Sequence, residues 1–284
     1  MLIKRHTLTS LRQKKDRGEP IVALTAYDYA TAIAVDQSGV DLILVGDSLG
    51  PVVLGYPNTL PVTMEDMLHH ARAVARGTHR CFVVADMPFM ADATPEAALL
   101  NAGRFLKEAG VQAVKLEGGH DPQLAVIQDL VAHGVPVVGH LGFTPQHVHQ
   151  LGGFRIQGKT EEAAEELLRQ ARAVEAAGAS LLVLELVPAE VAARITRALA
   201  IPTIGIGAGE GCDGQIQVFH DLVGLHVDHL PKHARRYANV HDLLSQAIAA
   251  YARDVRTGQF TSQGPSYASE TPANTGIDSQ GGKD

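Results

Sequence analysis

Short apolar runs alternate with helical patterns along most of the chain. Each run is rich in Val, Ile, Leu and Ala, ends at a polar residue or Gly, and precedes a segment with helical periodicity. Most runs are apolar throughout rather than alternating, which is typical of parallel strands buried on both faces. We predict seven strands, at 21–25, 42–46, 81–85, 113–116, 135–139, 181–184 and 202–206, and a weaker eighth at 215–219.

The segments between these runs predict helices, such as those at 94–109 and 160–177. Thr160 is a suitable N-cap for the second of these helices. Helical patterns run into Gly at five places, where helices often end: Gly39, Gly77, Gly110, Gly134 and Gly178. The first residues predict a short amphipathic helix with Leu8 and Leu11 on one side.

Strands that alternate with helices predict the α/β class, and a (β/α)8 TIM barrel of about 250 residues fits this length. The segment 207–214 is too short to place a helix between the last two strands. A doubly wound open sheet is the alternative, although no GxGxxG motif follows the first strand. We expect 1–260 to form a single barrel with an N-terminal helix, and the polar segment 261–284 to be a disordered tail.

Composition narrows the class of function. A net charge of -7 argues against a dedicated nucleic-acid binder. No apolar run approaches the roughly 18–20 residues of a membrane helix, so we expect no membrane partner. The two cysteines, Cys81 and Cys212, are too few for a disulfide scaffold, and they favour a reduced, cytoplasmic protein.

Polar side chains cluster at the carboxyl ends of the second to sixth strands, the face where barrel enzymes place their active sites. One such residue alone is unremarkable, because Asp often caps the following helix. Groups of complementary chemistry at one barrel mouth instead indicate a catalytic site. In chain order these groups are Asp47, Ser48, Asp86, Lys115, Glu117, His140 and Glu185.

Three of these residues, Asp47, Asp86 and Glu117, are carboxylates that repel one another unless a cation lies between them. Oxygen ligands without Cys favour a hard cation such as Mg²⁺. Zn²⁺ with His140 as a ligand is the alternative, although no HExxH motif is present. Lys115 shares a strand face with Glu117, and it either pairs with an acid, binds a substrate carboxylate or forms a Schiff base.

Glu185 is the candidate general base, because apolar residues flank it on both sides. The alternatives are a helix-capping or a salt-bridged Glu. His140 either orients another group through its ring N–H or is structural, and the glycines of 205–209 expose backbone N–H groups that could hold an anion. We expect the other histidines to be solvated surface residues, including His147, His149, His226, His229 and His233.

Together, the strand-end strings resemble the ketopantoate hydroxymethyltransferase family. The similarity runs in order over about residues 3 to 260. The matching strings are LTAYD (24–28), VGDSLG (45–50), LPVT (60–63), ADMPF (85–89), VKLEGG (114–119), GHLGFTPQ (139–146), IQG (156–158), LE (184–185), IGIGAG (204–209) and DGQ (213–215).

The resemblance implies a barrel of the phosphoenolpyruvate/pyruvate type and a transferase of pantothenate biosynthesis. Such an enzyme moves a hydroxymethyl group from 5,10-methylenetetrahydrofolate to 3-methyl-2-oxobutanoate through a Mg-stabilised enolate, and it yields 2-dehydropantoate. Carried over by motif, the metal residues are Asp47, Asp86 and Glu117, the keto-acid residues are Asp47, Ser48, Asp86 and Lys115, and the proton acceptor is Glu185. The resemblance also implies a homo-oligomer, often a decamer.

Three other functions fit the same residues less well. The first is another metal-enolate enzyme on this barrel, such as a 2-oxo acid lyase or a phosphonopyruvate-type mutase. The second is a Schiff-base aldolase that uses Lys115, and the third is a non-catalytic barrel that binds a metabolite.

Overall fold

The computed structural model describes residues 5–226 and 230–263. The chain divides into two compact units, Met1–Ala238 and Asn239–Asp284. The expected boundary of the barrel domain at residue 260 stays a prediction. Three residues of the expected tail lie in the helix Gln259–Gln263, and the rest of that tail, 264–284, lies outside the described residues.

The first unit is a closed barrel of parallel strands in sequential order, which confirms the predicted (β/α)8 fold and excludes the open sheet. The last strand pairs with the first, with Gly214 opposite Ile21. A Cβ at Gly214 would overlap the carbonyl oxygen of Ile21, so closure of the barrel requires glycine there. The strands are β1 (Ile21–Thr25), β2 (Leu42–Val45), β3 (Phe82–Asp86), β4 (Ala113–Glu117), β5 (Val137–Gly142), β6 (Leu181–Glu185), β7 (Thr203–Ile206) and β8 (Gly214–Gln217).

Helices alternate with these strands, and none joins β7 to β8, as expected from the short segment between them. Within the described residues, every helix is too short or too polar to cross a membrane. The α-helices are α1 (Leu8–Asp16), α2 (Tyr29–Gln37), α3 (Met64–Gly77), α4 (Pro95–Arg104), α5 (Asp121–Ala132), α6 (Val148–Leu151), α7 (Glu161–Ala176), α8 (Ala189–Ala198), α9 (Phe219–Val223), α10 (Val240–Arg256) and α11 (Gln259–Gln263).

Individual residues explain where several of the helices begin or end. The hydroxyl of Thr160 accepts the backbone N–H of Ala163, as predicted for an N-cap. The helix predicted at 94–109 consists of α4 followed by a π-helical turn at Phe105–Ala109. α3 ends at Gly77 as predicted, and this glycine is the last helical residue and packs closely on α2.

The barrel interior is filled by apolar side chains from the strands, and Leu11 of α1 packs among them with no exposed surface. This contact confirms the predicted amphipathic N-terminal helix. Lys14 and Lys15 on its polar side form ion pairs with Asp41 and Asp213 at 2.6 and 2.7 Å. The larger apolar core lies between the strands and the surrounding helices.

Candidate active site

A cavity of about 1010 Å³ lies at the carboxyl ends of the barrel strands. The structure brings every predicted site residue to its wall. These residues are Asp47, Ser48, Asp86, Lys115, Glu117 and Glu185, and His140 lies with them. The strand-end pattern therefore predicted one shared site, although it did not predict the contacts within it.

The strand register places the charged groups beside one another. Asp86 of β3 is opposite Lys115 of β4, and Glu117 of β4 is opposite His140 of β5. Glu185 ends β6, opposite Gly142 of β5. Because Lys115 and Glu117 are two residues apart on one strand, both side chains point to the same face.

Lys115 is held by the carboxylates around it. Its Nζ lies 2.7 Å from Oδ1 of Asp86, and both side chains are almost fully buried. Burial alone would lower the pKa of Lys115, but the charges of Asp86, Glu117 and Asp47 outweigh burial and raise it. A Schiff-base lysine needs a neutral amine, so this environment favours the ion-pair role over the aldolase alternative.

Asp47 is a buried carboxylate with negatively charged neighbours. Its backbone N–H donates to Oδ2 of Asp86 at 3.0 Å, and its Oδ2 accepts the side-chain amide of Gln146 at 2.9 Å. Burial first, and then the charges of Asp86 and Glu117, raise the pKa of Asp47 well above its usual range. The cluster therefore holds more negative charge than Lys115 neutralises.

His140 connects two carboxylates. Its Nδ1 lies 3.2 Å from Oε1 of Glu117, and its Nε2 lies 3.2 Å from Oε2 of Glu185. Burial and the nearby Lys115 lower the pKa of His140, but the contacts with both carboxylates raise it to about 9. Burial would raise the pKa of Glu117, whereas the contacts with His140 and Lys115 lower it. The imidazole thus orients Glu185, in line with the orienting role considered from the sequence.

Gln146 is a site residue to which the sequence reasoning gave no role. Its backbone N–H donates to Oε2 of Glu117 at 3.0 Å, and its side-chain amide donates to Asp47 and to the carbonyl of Met87 at 2.8 Å. Gln146 therefore links two of the predicted metal ligands across the cavity. The sequence feature that could have identified Gln146 is its place at the end of the GHLGFTPQ string.

Tyr27 is a second such residue. Its hydroxyl lies 2.8 Å from Oγ of Ser48, and its side chain is buried. Burial outweighs the hydrogen bond with Ser48 and raises the pKa of Tyr27, so the phenol keeps its proton. Tyr27 thereby fixes the position of the Ser48 hydroxyl at the cavity wall.

The backbone directly after Glu185 is strained. Leu186 has a φ of 48°, a left-handed conformation that is uncommon for a residue other than glycine. Its N–H donates to the carbonyl of Ile206 at 3.0 Å, and its carbonyl accepts the N–H of Gln157 at 2.9 Å. These bonds hold the end of β6 and therefore the direction in which Glu185 points.

The residues fit a hard divalent cation by their chemistry. Asp47, Asp86 and Glu117 supply buried carboxylate oxygens, the donors that Mg²⁺ prefers, and Lys115 offsets only part of their charge. Within the described residues, no three His, Cys, Asp or Glu side chains are arranged as a ready-formed metal site. Instead, Lys115 forms an ion pair with Asp86, and the side-chain amide of Gln146 donates to Asp47.

The histidines expected at the surface differ in their surroundings. His149 is exposed, as expected for a surface residue. His147 lies 3.9 Å from Oε2 of Glu117, and His233 is exposed but lines the cavity, so both border the site. His226 is half-buried, and His229 lies outside the described residues.

Two solved structures resemble this fold along most of the chain. Phosphonopyruvate hydrolase in complex with oxalate and Mg²⁺ aligns with a TM-score of 0.59 and 15% identity, over 92% of each chain. A 2,3-dimethylmalate lyase of the PEP mutase/isocitrate lyase superfamily aligns with a TM-score of 0.57 and 19% identity, over 94% of this chain and 91% of the other. These likenesses support the (β/α)8 barrel fold.

Sequence comparison identifies the family. The model of the ketopantoate hydroxymethyltransferase family matches residues 5–263. The 3-methyl-2-oxobutanoate hydroxymethyltransferase of Chloroflexus aurantiacus is 54% identical over 93% of both chains. The enzyme of the same name from Dehalococcoides mccartyi is 55% identical over 90% of this chain and 91% of its own. The chain is therefore an enzyme that belongs to the ketopantoate hydroxymethyltransferase family.

Proposed function

We propose that the enzyme transfers a hydroxymethyl group from 5,10-methylenetetrahydrofolate to 3-methyl-2-oxobutanoate and forms 2-dehydropantoate for pantothenate biosynthesis. The observation that carries this proposal is one cavity that holds both a His-oriented carboxylate and a buried, cationic Lys115. The first group can take a proton from a keto acid, and the second can bind the acid's carboxylate.

Different residues of the chain have different roles in the proposed reaction. Lys115 and the Tyr27-oriented hydroxyl of Ser48 bind the substrate carboxylate, and Glu185 takes the proton from C3. The methylene carbon of the donor is bonded to two folate nitrogens, and both C–N bonds break: the enolate replaces one as the new C–C bond forms, and water replaces the other. Water supplies the oxygen of the new hydroxyl group, and one proton from water together with the proton taken by Glu185 protonates the two nitrogens of the tetrahydrofolate that leaves.

We propose Mg²⁺ as the cofactor, with Asp47, Asp86 and Glu117 as the residues that would hold it. The raised pKa of Asp47 supports a cation here, because a positive charge would relieve the repulsion that raises it. When bound, Mg²⁺ would act as a Lewis acid toward the 2-oxo group.

The proposal includes a cytoplasmic homo-oligomer, and the family resemblance implies a decamer. The free thiols of Cys81 and Cys212 support a reducing compartment. Exposed apolar side chains along α10, including Leu244, Ile248 and Tyr251, support contact with further copies of the chain. Light scattering of the purified protein would measure the number of subunits.

A product assay with the purified enzyme tests the transfer. We expect tetrahydrofolate and 2-dehydropantoate to form in equal amounts with Mg²⁺, to stop forming with EDTA and to form again when Mg²⁺ is restored. Absence of tetrahydrofolate release with 3-methyl-2-oxobutanoate would refute the proposed reaction. Full activity in EDTA would refute the proposed cofactor.

A further inference from the structure

The cavity is larger than the keto acid requires. Its volume of about 1010 Å³ lies at the upper end of the range of roughly 300–1,000 Å³ that is usual for drug-sized ligands. The residues proposed for catalysis are confined to its strand-end wall. The rest of the wall therefore has room for a second, larger molecule.

An aromatic ring is exposed at this outer part. Phe154 is 76% exposed and lines the cavity, and its ring centroid lies 4.6 Å from that of the fully buried Phe143. The neighbouring Ile156 is 47% exposed and also lines the cavity. One face of Phe154 is thus supported by the core, while much of its surface stays open to a flat ligand.

Two lysines accompany this apolar surface. Lys159 and Lys232 line the cavity, and neither makes an ion pair or hydrogen bond with another residue in 5–226 or 230–263. In a chain with a net charge of -7, two unpaired cations at one opening favour an anionic ligand.

The segment that carries Lys232 is tied to the barrel. The side-chain amide of Gln217 donates to the carbonyl of Arg235 at 2.7 Å, and its oxygen accepts the Arg235 N–H at 3.0 Å. His233 packs against the backbone of Gly207, where an added Cβ would come within 3.1 Å of its ring. Lys232 is therefore presented at the cavity by fixed contacts.

We infer that Phe154, Ile156, Lys159 and Lys232, here called the outer rim, bind the reduced folate co-substrate. The flat ring system stacks on Phe154, and the carboxylates of the glutamate tail pair with Lys159 and Lys232. This arrangement turns the one-carbon unit toward Glu185 and the tail toward solvent. The inference rests on the proposed function, because it takes the folate donor as given.

Calorimetric binding of tetrahydrofolate tests the outer rim without turnover, in the presence of Mg²⁺ and 3-methyl-2-oxobutanoate. We expect Lys159→Ala and Lys232→Ala each to raise the Kd by about two- to fivefold, as for exposed ion pairs. Phe154→Ala should raise it by roughly three- to tenfold, and Phe154→Tyr should keep the wild-type value. Lys107→Ala, which changes an exposed lysine of the Phe105–Ala109 turn, is the matched control.

A second measurement uses the length of the glutamate tail. The triglutamate form of tetrahydrofolate should bind the wild type more tightly than the monoglutamate, and the double variant Lys159→Ala/Lys232→Ala should lose this difference. Exchange of the keto acid C3 proton with deuterium, measured without folate, reports separately on the inner site of these variants.

The possible results separate this inference from the proposed function. If the outer-rim variants weaken tetrahydrofolate binding but the enzyme transfers no hydroxymethyl group, the outer-rim inference is supported and the proposed function is refuted. Normal transfer with unchanged Kd values in all rim variants would overturn the outer rim alone. An absence of tetrahydrofolate binding by the wild type would also overturn it.

Discussion

Replacement of Lys115 by Met would test the charge balance of the site. The substitution keeps much of the side-chain volume but leaves Asp47, Asp86 and Glu117 without their buried cation. At 2.7 Å and an effective dielectric constant of about 20, the Lys115–Asp86 attraction is roughly 6 kcal/mol before desolvation is subtracted. Removal of one partner from a buried pair costs about 3–5 kcal/mol in unfolding free energy.

Thermal unfolding followed by circular dichroism measures this loss. A loss of about 3–5 kcal/mol should lower the Tm by roughly 6–20 °C for a domain of this size. Added Mg²⁺ should recover part of the loss, because it supplies positive charge to the same carboxylates. Lys107→Met is the control, since Lys107 is exposed, and its Tm should match that of the wild type.

The pH dependence has a definite sign. An acid whose pKa is raised in the folded state binds protons more readily there than in the unfolded chain, so stability increases as the pH falls. The pKa of Asp47 is already raised in the wild type, and removal of Lys115 raises it further. The deficit of Lys115→Met should therefore shrink between pH 7 and pH 5. A variant that melts like the wild type at pH 7 would refute the charge balance described here.

Three other substitutions test separate parts of the structure. Glu185→Gln should slow deuterium exchange at C3 by about a hundred- to ten-thousandfold, and the exposed Glu190→Gln should not; full exchange in Glu185→Gln would exclude Glu185 as the base. Gln146→Ala should lower the unfolding free energy by about 1–3 kcal/mol in urea, because the buried Oδ2 of Asp47 and the carbonyl of Met87 lose the side-chain amide that donates to them, and an unchanged midpoint would contradict that role. Burial favours a higher pKa for Asp36, but the backbone N–H groups of 79–81 lower it. Asp36→Ala should therefore lower the free energy of unfolding by about 3 kcal/mol at pH 7. The loss should become smaller below about pH 4, because the wild-type carboxylate is protonated there, and a difference that stays constant with pH would count against this assignment.

The barrel could be predicted because its strands are continuous apolar runs. The first strand was predicted at 21–25 and is observed at Ile21–Thr25. The fifth was predicted at 135–139, whereas β5 is Val137–Gly142. The polar His140 suggested an end to this run, but its side chain lies inside the site, where a carboxylate lies 3.2 Å from each ring nitrogen. Polarity marks a strand end only when the polar group faces solvent.

The strand-end residues of the site could also be predicted, because parallel strands bring their carboxyl ends to one mouth. Gln146 was not assigned a role because it lies in the segment after β5, whose path depends on tertiary packing. Tyr27 was missed for a similar reason, since its contact with Ser48 joins the segments after β1 and β2. The strained backbone at Leu186 could not be predicted from the residue type, because leucine is not a residue that favours a positive φ.

A labelled donor tests the central claim most directly. The purified enzyme would be given 3-methyl-2-oxobutanoate and 5,10-methylenetetrahydrofolate with both methylene hydrogens replaced by deuterium, and the products would be analysed by mass spectrometry. We predict 2-dehydropantoate that carries both deuterium atoms in its new hydroxymethyl group, with one tetrahydrofolate released for each molecule formed. Product without the label, or labelled folate left unconsumed while the keto acid is converted, would contradict the account.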